Sequence, residues 1–230
     1  MQVPKKPKKA VYLGILMGTS IAFFLPAIII TWLVAGTLDF QQGGIFPEQT
    51  PIALLSLLLV LFVFGVAKAA VMPFHRWLPA AMVAPTPVSA LLHAVAVVKA
   101  GVFSLIKILV FIFGLDTLQQ IPVSDYLLYL AGAGVVLASL IAMRQDNLKA
   151  RLAYSTISQL GYITVGVLLA VESGVMGSAM HIATHALGKI TLFFCAGAIL
   201  VASHKSEISS MVGLGRSMPI TMTAFFIASL

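Results

Sequence analysis

The sequence predicts an all-α integral membrane protein with about six full transmembrane helices, a truncated seventh, and one broken helix near Pro73. Three observations predict it. Hydrophobic residues make up 60% of the 230 residues and charged residues only 9%. A soluble domain carries about 25% charged residues, so this chain cannot cover itself with a water-compatible surface. Apolar stretches long enough to cross a bilayer, about 20 residues each, recur between short segments of Pro, Gly and charge. The basic residues are also sorted by loop, which explains a pI near 9.7 through a membrane surface rather than through nucleic acid.

Residues 1–230 read as a single membrane domain that opens on a basic segment, 1–9, holding Lys5, Lys6, Lys8 and Lys9. The first span is expected over 10–35. A basic run before an apolar stretch imitates a signal peptide, yet this stretch of roughly 25 residues exceeds the 7–15-residue signal core, so it reads as a retained anchor. The second span is expected over 52–72. Pro73, Pro79, Pro85 and Pro87 forbid one continuous helix beyond it, because proline lacks the N–H and clashes with the preceding turn. A break near Pro73, a short amphipathic helix near Trp77 and a restart at 86–89 follow. The remaining spans are expected over 88–113, 126–143, 152–171 and 175–203, with the truncated one over 218–230. That last stretch supplies about 20 Å of helix against a hydrocarbon core near 30 Å, the expectation for a fragment of a longer chain or a truncated product.

With the N-terminus in the cytoplasm, alternation puts Lys5, Lys6, Lys8, Lys9, Arg76, Arg144, Lys149, Arg151, Lys205 and Arg216 on one side, ten of the fourteen Lys and Arg residues. The opposite loops hold Asp39, Glu48, Asp116, Asp125 and Glu172, with no Lys or Arg. This is the positive-inside pattern and predicts a bacterial-type plasma (inner) membrane protein with its N-terminus cytoplasmic.

Lys68, His93, Lys99, Lys107, His181, His185 and Lys189 lie inside the apolar stretches. A lysine at a helix centre costs roughly 2.5–3.5 kcal/mol even on the mildest scales, so their presence points to proton or cation movement. Lys68, one turn before the expected break, reads as functional, with snorkelling to the nearby face as its alternative. Lys99 lies about 16 Å into its span, too deep for either surface. His93 is open between packing and function, and Lys107, near a span end, reads as snorkelling. His181, His185 and Lys189 repeat every four residues and stack on one helical face. An i, i+4 histidine pair can bind zinc, but no Glu, Asp or Cys completes a ligand set, so no metal is expected. His75, Arg76 and Trp77 read as headgroup anchors. Ser155, Thr156, Ser158 and Gln159 read as packing hydrogen bonds. Cys195 is an apolar filler, and a single cysteine forms no intrachain disulfide. No phosphate loop, dinucleotide fingerprint, nucleophile elbow, haem or iron–sulfur motif is present, so neither a cofactor nor a catalytic residue is expected.

The segment from Lys68 to Lys107, above all its run from Pro73 through His93, resembles the antiporter-like membrane subunits shared by respiratory NADH:quinone oxidoreductase (complex I) and Mrp-type cation/proton antiporters. The runs Arg151–Tyr162 and His181–Lys189 match the same family, and the form around His93 to Gly101 looks closest to the antiporter D-type subunit. The resemblance covers nearly the whole chain and implies an inverted-repeat fold of about fourteen spans with a broken helix in each repeat. It implies that the chain begins just before the sixth helix and stops inside the twelfth. Lys68 would match the lysine of the seventh helix, His93 and Lys99 polar positions of the eighth, and His181, His185 and Lys189 those of the eleventh. The glutamate that in the family pairs with the seventh-helix lysine, and the ionisable residue expected at the second break, are missing from this sequence. The implied function is proton or cation/proton translocation beside other membrane subunits, in the bilayer, with H+ or Na+ as the ion and no nucleic acid. In a complex I setting it would be a non-redox subunit. The alternative is a truncated, non-transporting membrane scaffold.

Overall fold

A computed structural model describes residues 8–83, 86–91 and 96–229. The first rod joins α1 (Lys8–Thr19), a π-helical turn (Ser20–Phe24) and α2 (Leu25–Ala35). Pro26, the second residue of α2, has no N–H to give to the preceding turn, and the wider π turn just before it accommodates that loss. Gly36, at φ 70°, ends the rod in the left-handed conformation that glycine adopts freely.

Next comes α3 (Ile52–Gly65), which stops well short of the expected 52–72. The chain passes through a 3₁₀ turn (Ala67–Ala69), a left-handed Ala70 at φ 55°, a second 3₁₀ turn (Phe74–Arg76) and the short α4 (Trp77–Ala80). The break therefore begins at Val66 rather than near Pro73, and Lys68 lies within it rather than one turn before it. The physical reason is tertiary. The fully buried Trp77 donates its indole N–H to the Ala67 carbonyl at 2.8 Å, and the Ala70 amide donates to the same oxygen. Those two donors satisfy a carbonyl that a continuing helix would have used. Trp77 is thus no headgroup anchor; it packs edge-on against Tyr12 at 5.8 Å.

The expected span 88–113 is divided into α5 (Thr86–Ala90) and α6 (Val97–Ile108), the latter extended by a π turn (Leu109–Phe113). Lys99 is accordingly the third residue of α6, not eleven residues into one helix. His93 lies outside the described residues, as do residues 1–7 of the basic segment. The short α7 (Leu115–Gln120) leads into α8 (Pro122–Arg144), α9 (Leu148–Leu168) and α10 (Glu172–Ser203). A 3₁₀ turn (Ile208–Ser210), α11 (Leu214–Ser217) and α12 (Pro219–Ser229) complete the described chain. Among the described residues, the stretches Tyr12–Ala35, Pro122–Arg144 and Glu172–Ser203 are long and apolar enough to cross a membrane by length and composition; α3 and α12 are shorter apolar helices.

Helices in lipid gain little from apolar burial alone and associate through close packing and interhelical hydrogen bonds. Here α8, α9 and α10 stack antiparallel. Gly166 of α9 meets Gly174 and Ser178 of α10, and the Ser178 hydroxyl donates to the Ile163 carbonyl at 3.0 Å. A core of Leu58, Leu59, Trp77, Val98, Leu109, Phe113 and Leu160 joins the first rod to this stack.

The two ends of the bundle differ. At one end Ile45 donates its amide to the Ile112 carbonyl at 3.0 Å, Gly44 packs against Gly114, and the Gln119 side chain reaches the Ala170 carbonyl at 2.8 Å. At the other end the segment after α8 pairs with the segment after α10. Asn147 bridges to Glu207 with a 3.0 Å side-chain bond, and the Ser209 hydroxyl and amide donate to Asp146 at 2.6 and 2.9 Å. Those bonds, the hydroxyl's first, hold the Asp146 carboxyl below the usual carboxylate range. Arg144, Lys149, Arg151 and Lys205 all lie at this second end.

Candidate functional site

The site forms where α6, α9 and α10 meet. Lys99 of α6 is buried, and its Nζ is hydrogen-bonded to His185 Nδ1 of α10. One turn along α10, Lys189 is buried too and donates to the Ser155 hydroxyl of α9 at 2.6 Å. One turn the other way, the His181 ring lies parallel to His185, 5° between planes and 5.8 Å between centroids. Its Nε2 donates to Gln159 Oε1 of α9 at 2.7 Å. The four-residue spacing on α10 thus delivers the single face the sequence predicts.

His185 Nε2 is buried and has no hydrogen-bond partner among the described residues. Its two nitrogens therefore differ: one is tied to Lys99, the other is buried without a partner among those residues. If Lys99 is an ammonium it donates, and a neutral imidazole must carry its own proton at Nε2. If Lys99 is an amine, Nδ1–H donates instead. One proton crossing that hydrogen bond interconverts these arrangements. The cluster holds two buried lysines, and none of the side chains bonded to them is a carboxylate, so each positive charge relies on neutral acceptors.

A cavity of about 710 Å³ runs beside this cluster between α9, α10 and α12. Ser155, Gln159, His181, His185 and Lys189 line one part of it, Met222 and Phe225 the opposite wall, and Arg151 its basic end. Arg151 is anchored there by donating to the Gln145 and Met143 carbonyls at 3.1 and 3.0 Å, closing the end of α8. From Gln159 to Arg151 the polar column follows α9 for about 12 Å. Ser155 and Gln159, read from sequence as packing residues, are direct partners of the α10 face. The signal that finds them is register: counting back equally from the turn at 169–171 sets Gln159 opposite His181 and Ser155 near His185 and Lys189.

Lys68 does not join this cluster. Its side chain is exposed while Ala67, Ala69 and Ala70 around it are buried. It lines a separate cavity of about 150 Å³ with Ser20, Gly101 and Ser104. The α6 backbone passes so close to its turn that a Cβ at Gly101 would meet the Lys68 main chain. Lys107, toward the other end of α6, holds its ammonium 4.1 and 4.6 Å from the Phe111 and Phe40 ring centroids, a cation–π arrangement. His75 is half-buried beside Tyr154 at 6.4 Å, and Arg76 is exposed. No group of three or more His, Cys, Asp or Glu side chains that could hold a metal occurs among the described residues. The parallel stacking of His181 on His185 does not converge their lone pairs on one point.

A helical bundle with apolar membrane-length helices and buried lysine and histidine side chains at its interior is an integral membrane protein with ionisable groups inside it. The family described as NADH:quinone oxidoreductase/Mrp antiporter, transmembrane region, matches residues 2–230, and the chain belongs to that family. NADH-ubiquinone oxidoreductase chain 5 of Metridium senile is 37% identical over 210 residues, which cover 90% of this chain and 34% of that protein. A probable K(+)/H(+) antiporter component of Rhizobium meliloti (strain 1021) is 42% identical over 173 residues, covering 74% of this chain and 17% of that one. In the solved structure of the Mrp complex from Dietzia sp. DQ12-45-1b, one chain matches with a TM-score of 0.81 at 30% identity, covering 98% of this chain and 27% of that one. The chain spans about a third or less of the length of these relatives.

Proposed function

We propose that this chain is the proton-relaying portion of an antiporter-like subunit in a multisubunit membrane complex, translocating H+ or exchanging H+ for a cation such as Na+. The observation that carries the reading is the hydrogen-bonded contact of Lys99 with His185, flanked by Lys189 on Ser155 and His181 on Gln159. Transfer of the Lys99 proton to His185 Nδ1 makes an imidazolium, and loss of its Nε2 proton to water entering the cavity that His185 lines completes the transfer, which is how an imidazole passes charge without leaving its place. Lys189 and the cavity beside it extend the route toward the basic end. Lys68, across the α6 backbone, is a separate station, and His93 belongs to the same path by its place in the sequence. The basic end faces the cytoplasm, as the sorting of charge implies, in a bacterial-type inner membrane. Family membership and the partners named in the relatives' complexes support the reading.

The test is Lys99→Ala in the assembled complex carrying the full-length protein, with proton flux measured in sealed vesicles. Coupled transport is lost while assembly is retained. Undiminished flux would remove Lys99 from the relay and the reading with it.

A further inference from the structure

Beside the paired segments at the basic end lies a third cavity, of about 490 Å³, that the relay does not use. Its rim carries Lys149 of the first turn of α9 and Lys205 just after α10. Neither ammonium has a hydrogen-bond or ion-pair partner among the described residues. Met82, Ala196, Leu200 and Met211 form the apolar part of its lining, and Asn147 and Ser206 line it as well. Leu200 and Ala196 lie one and two turns below His204 on α10, so the wall descends about 12 Å from the rim. The nearby carboxylates are engaged elsewhere, Asp146 by Ser209 and Glu207 by Asn147 and Ser206, and neither lines the cavity.

We propose that this cavity binds an anionic phospholipid. The charge pattern is that of the ligand: two free ammonium groups at the end of the bundle where its basic loops gather, beside an apolar stretch of Met82, Ala196, Leu200 and Met211, with the polar Asn147 and Ser206 close to the lysines in sequence. A phosphodiester at the rim would sit between Lys149 and Lys205, and the first methylenes of its acyl chains would follow Leu200 and Ala196. Basic pockets between transmembrane helices on the positively charged side select anionic headgroups in this way. A free anion would satisfy the rim but gain nothing from the wall. A zwitterionic lipid would gain the wall but bring its own cation against the lysines.

The experiment is native mass spectrometry of the full chain released from vesicles containing equal amounts of phosphatidylglycerol and phosphatidylcholine. Phosphatidylglycerol stays bound and phosphatidylcholine does not. The Lys149→Gln/Lys205→Gln pair loses retention on the order of tenfold, and the Lys149→Arg/Lys205→Arg pair keeps it. Equal retention of the two lipids in the unaltered chain overturns the proposal without reference to any variant. So does full displacement by millimolar inorganic phosphate, which would make the site a simple anion pocket. Recovery of an acidic protein segment in place of lipid overturns it as well.

Discussion

Gly101→Ala tests how Lys68 and α6 are held together. A methyl group at this position meets main chain, with the Ala69 nitrogen 2.5 Å and the Lys68 Cβ 2.7 Å away. Main-chain atoms cannot swing aside as a side-chain tip can, so the cost lies in the usual overpacking range of about 1–3 kcal/mol. Against it stands the gain of replacing a helical glycine by alanine, about 0.8–1 kcal/mol. Gly132 of α8 isolates that gain, because nothing lies within 4 Å of a Cβ built there. Gly132→Ala should therefore be stabilising by up to about 1 kcal/mol, and Gly101→Ala destabilising by up to about 2 kcal/mol net. Thermal unfolding followed by circular dichroism, with both variants and the unaltered chain in one detergent, measures the difference. If Gly101→Ala proves as stable as Gly132→Ala, α6 does not press on the Lys68 turn and the close approach is not a constraint.

Three other expectations follow from single contacts. Trp77→Phe removes the indole donor at Ala67 but keeps most of the ring, so it should cost about 1–2 kcal/mol, against about 3–5 for Trp77→Ala; equal losses in the two would show that the hydrogen bond is idle. Ser155→Ala leaves the buried Lys189 without its acceptor, at a cost of about 1–3 kcal/mol, and should slow proton flux in the assembled complex, with Ser155→Thr restoring it; flux indifferent to both would place Lys189 outside the path. Asp146, held below the ordinary carboxylate range by the Ser209 hydroxyl and amide, contributes stability that is fully present above an ordinary aspartate pKa of about 3.9 and is lost as pH falls through its lowered folded value. Amide exchange at Ser209 should stay protected near pH 6 and quicken only in strong acid, whereas Asp146→Asn should show no such acid step.

The long helices were legible because their cause is local. Between Pro122 and Arg144, and between Glu172 and Ser203, apolar length alone requires a helix in lipid. The four-residue rhythm of His181, His185 and Lys189 likewise placed them on one face before any neighbour was known. The break was legible in kind but not in place. Prolines at 73, 79, 85 and 87 announce that a helix cannot continue, yet α3 ends at Gly65 because Trp77 reaches back to Ala67, a contact ten residues apart. The bond between Lys99 and His185 joins positions separated by 86 residues, beyond any local pattern. Ser155 and Gln159 are visible as polar residues, but their partners depend on how α9 and α10 align, which the turn at 169–171 sets and no pattern within either helix does.

The burial of Trp77 has a practical consequence. The chain contains two tryptophans. Trp32 of α2 is 55% exposed, while Trp77 is fully enclosed with its indole on the Ala67 carbonyl. Brominated acyl chains should therefore quench the emission of Trp32 and spare that of Trp77, and Trp32→Phe would leave a single fluorophore in the segment that carries Lys68. A change in the charge or position of that lysine would then be read as a spectral shift from a native residue, with no label attached.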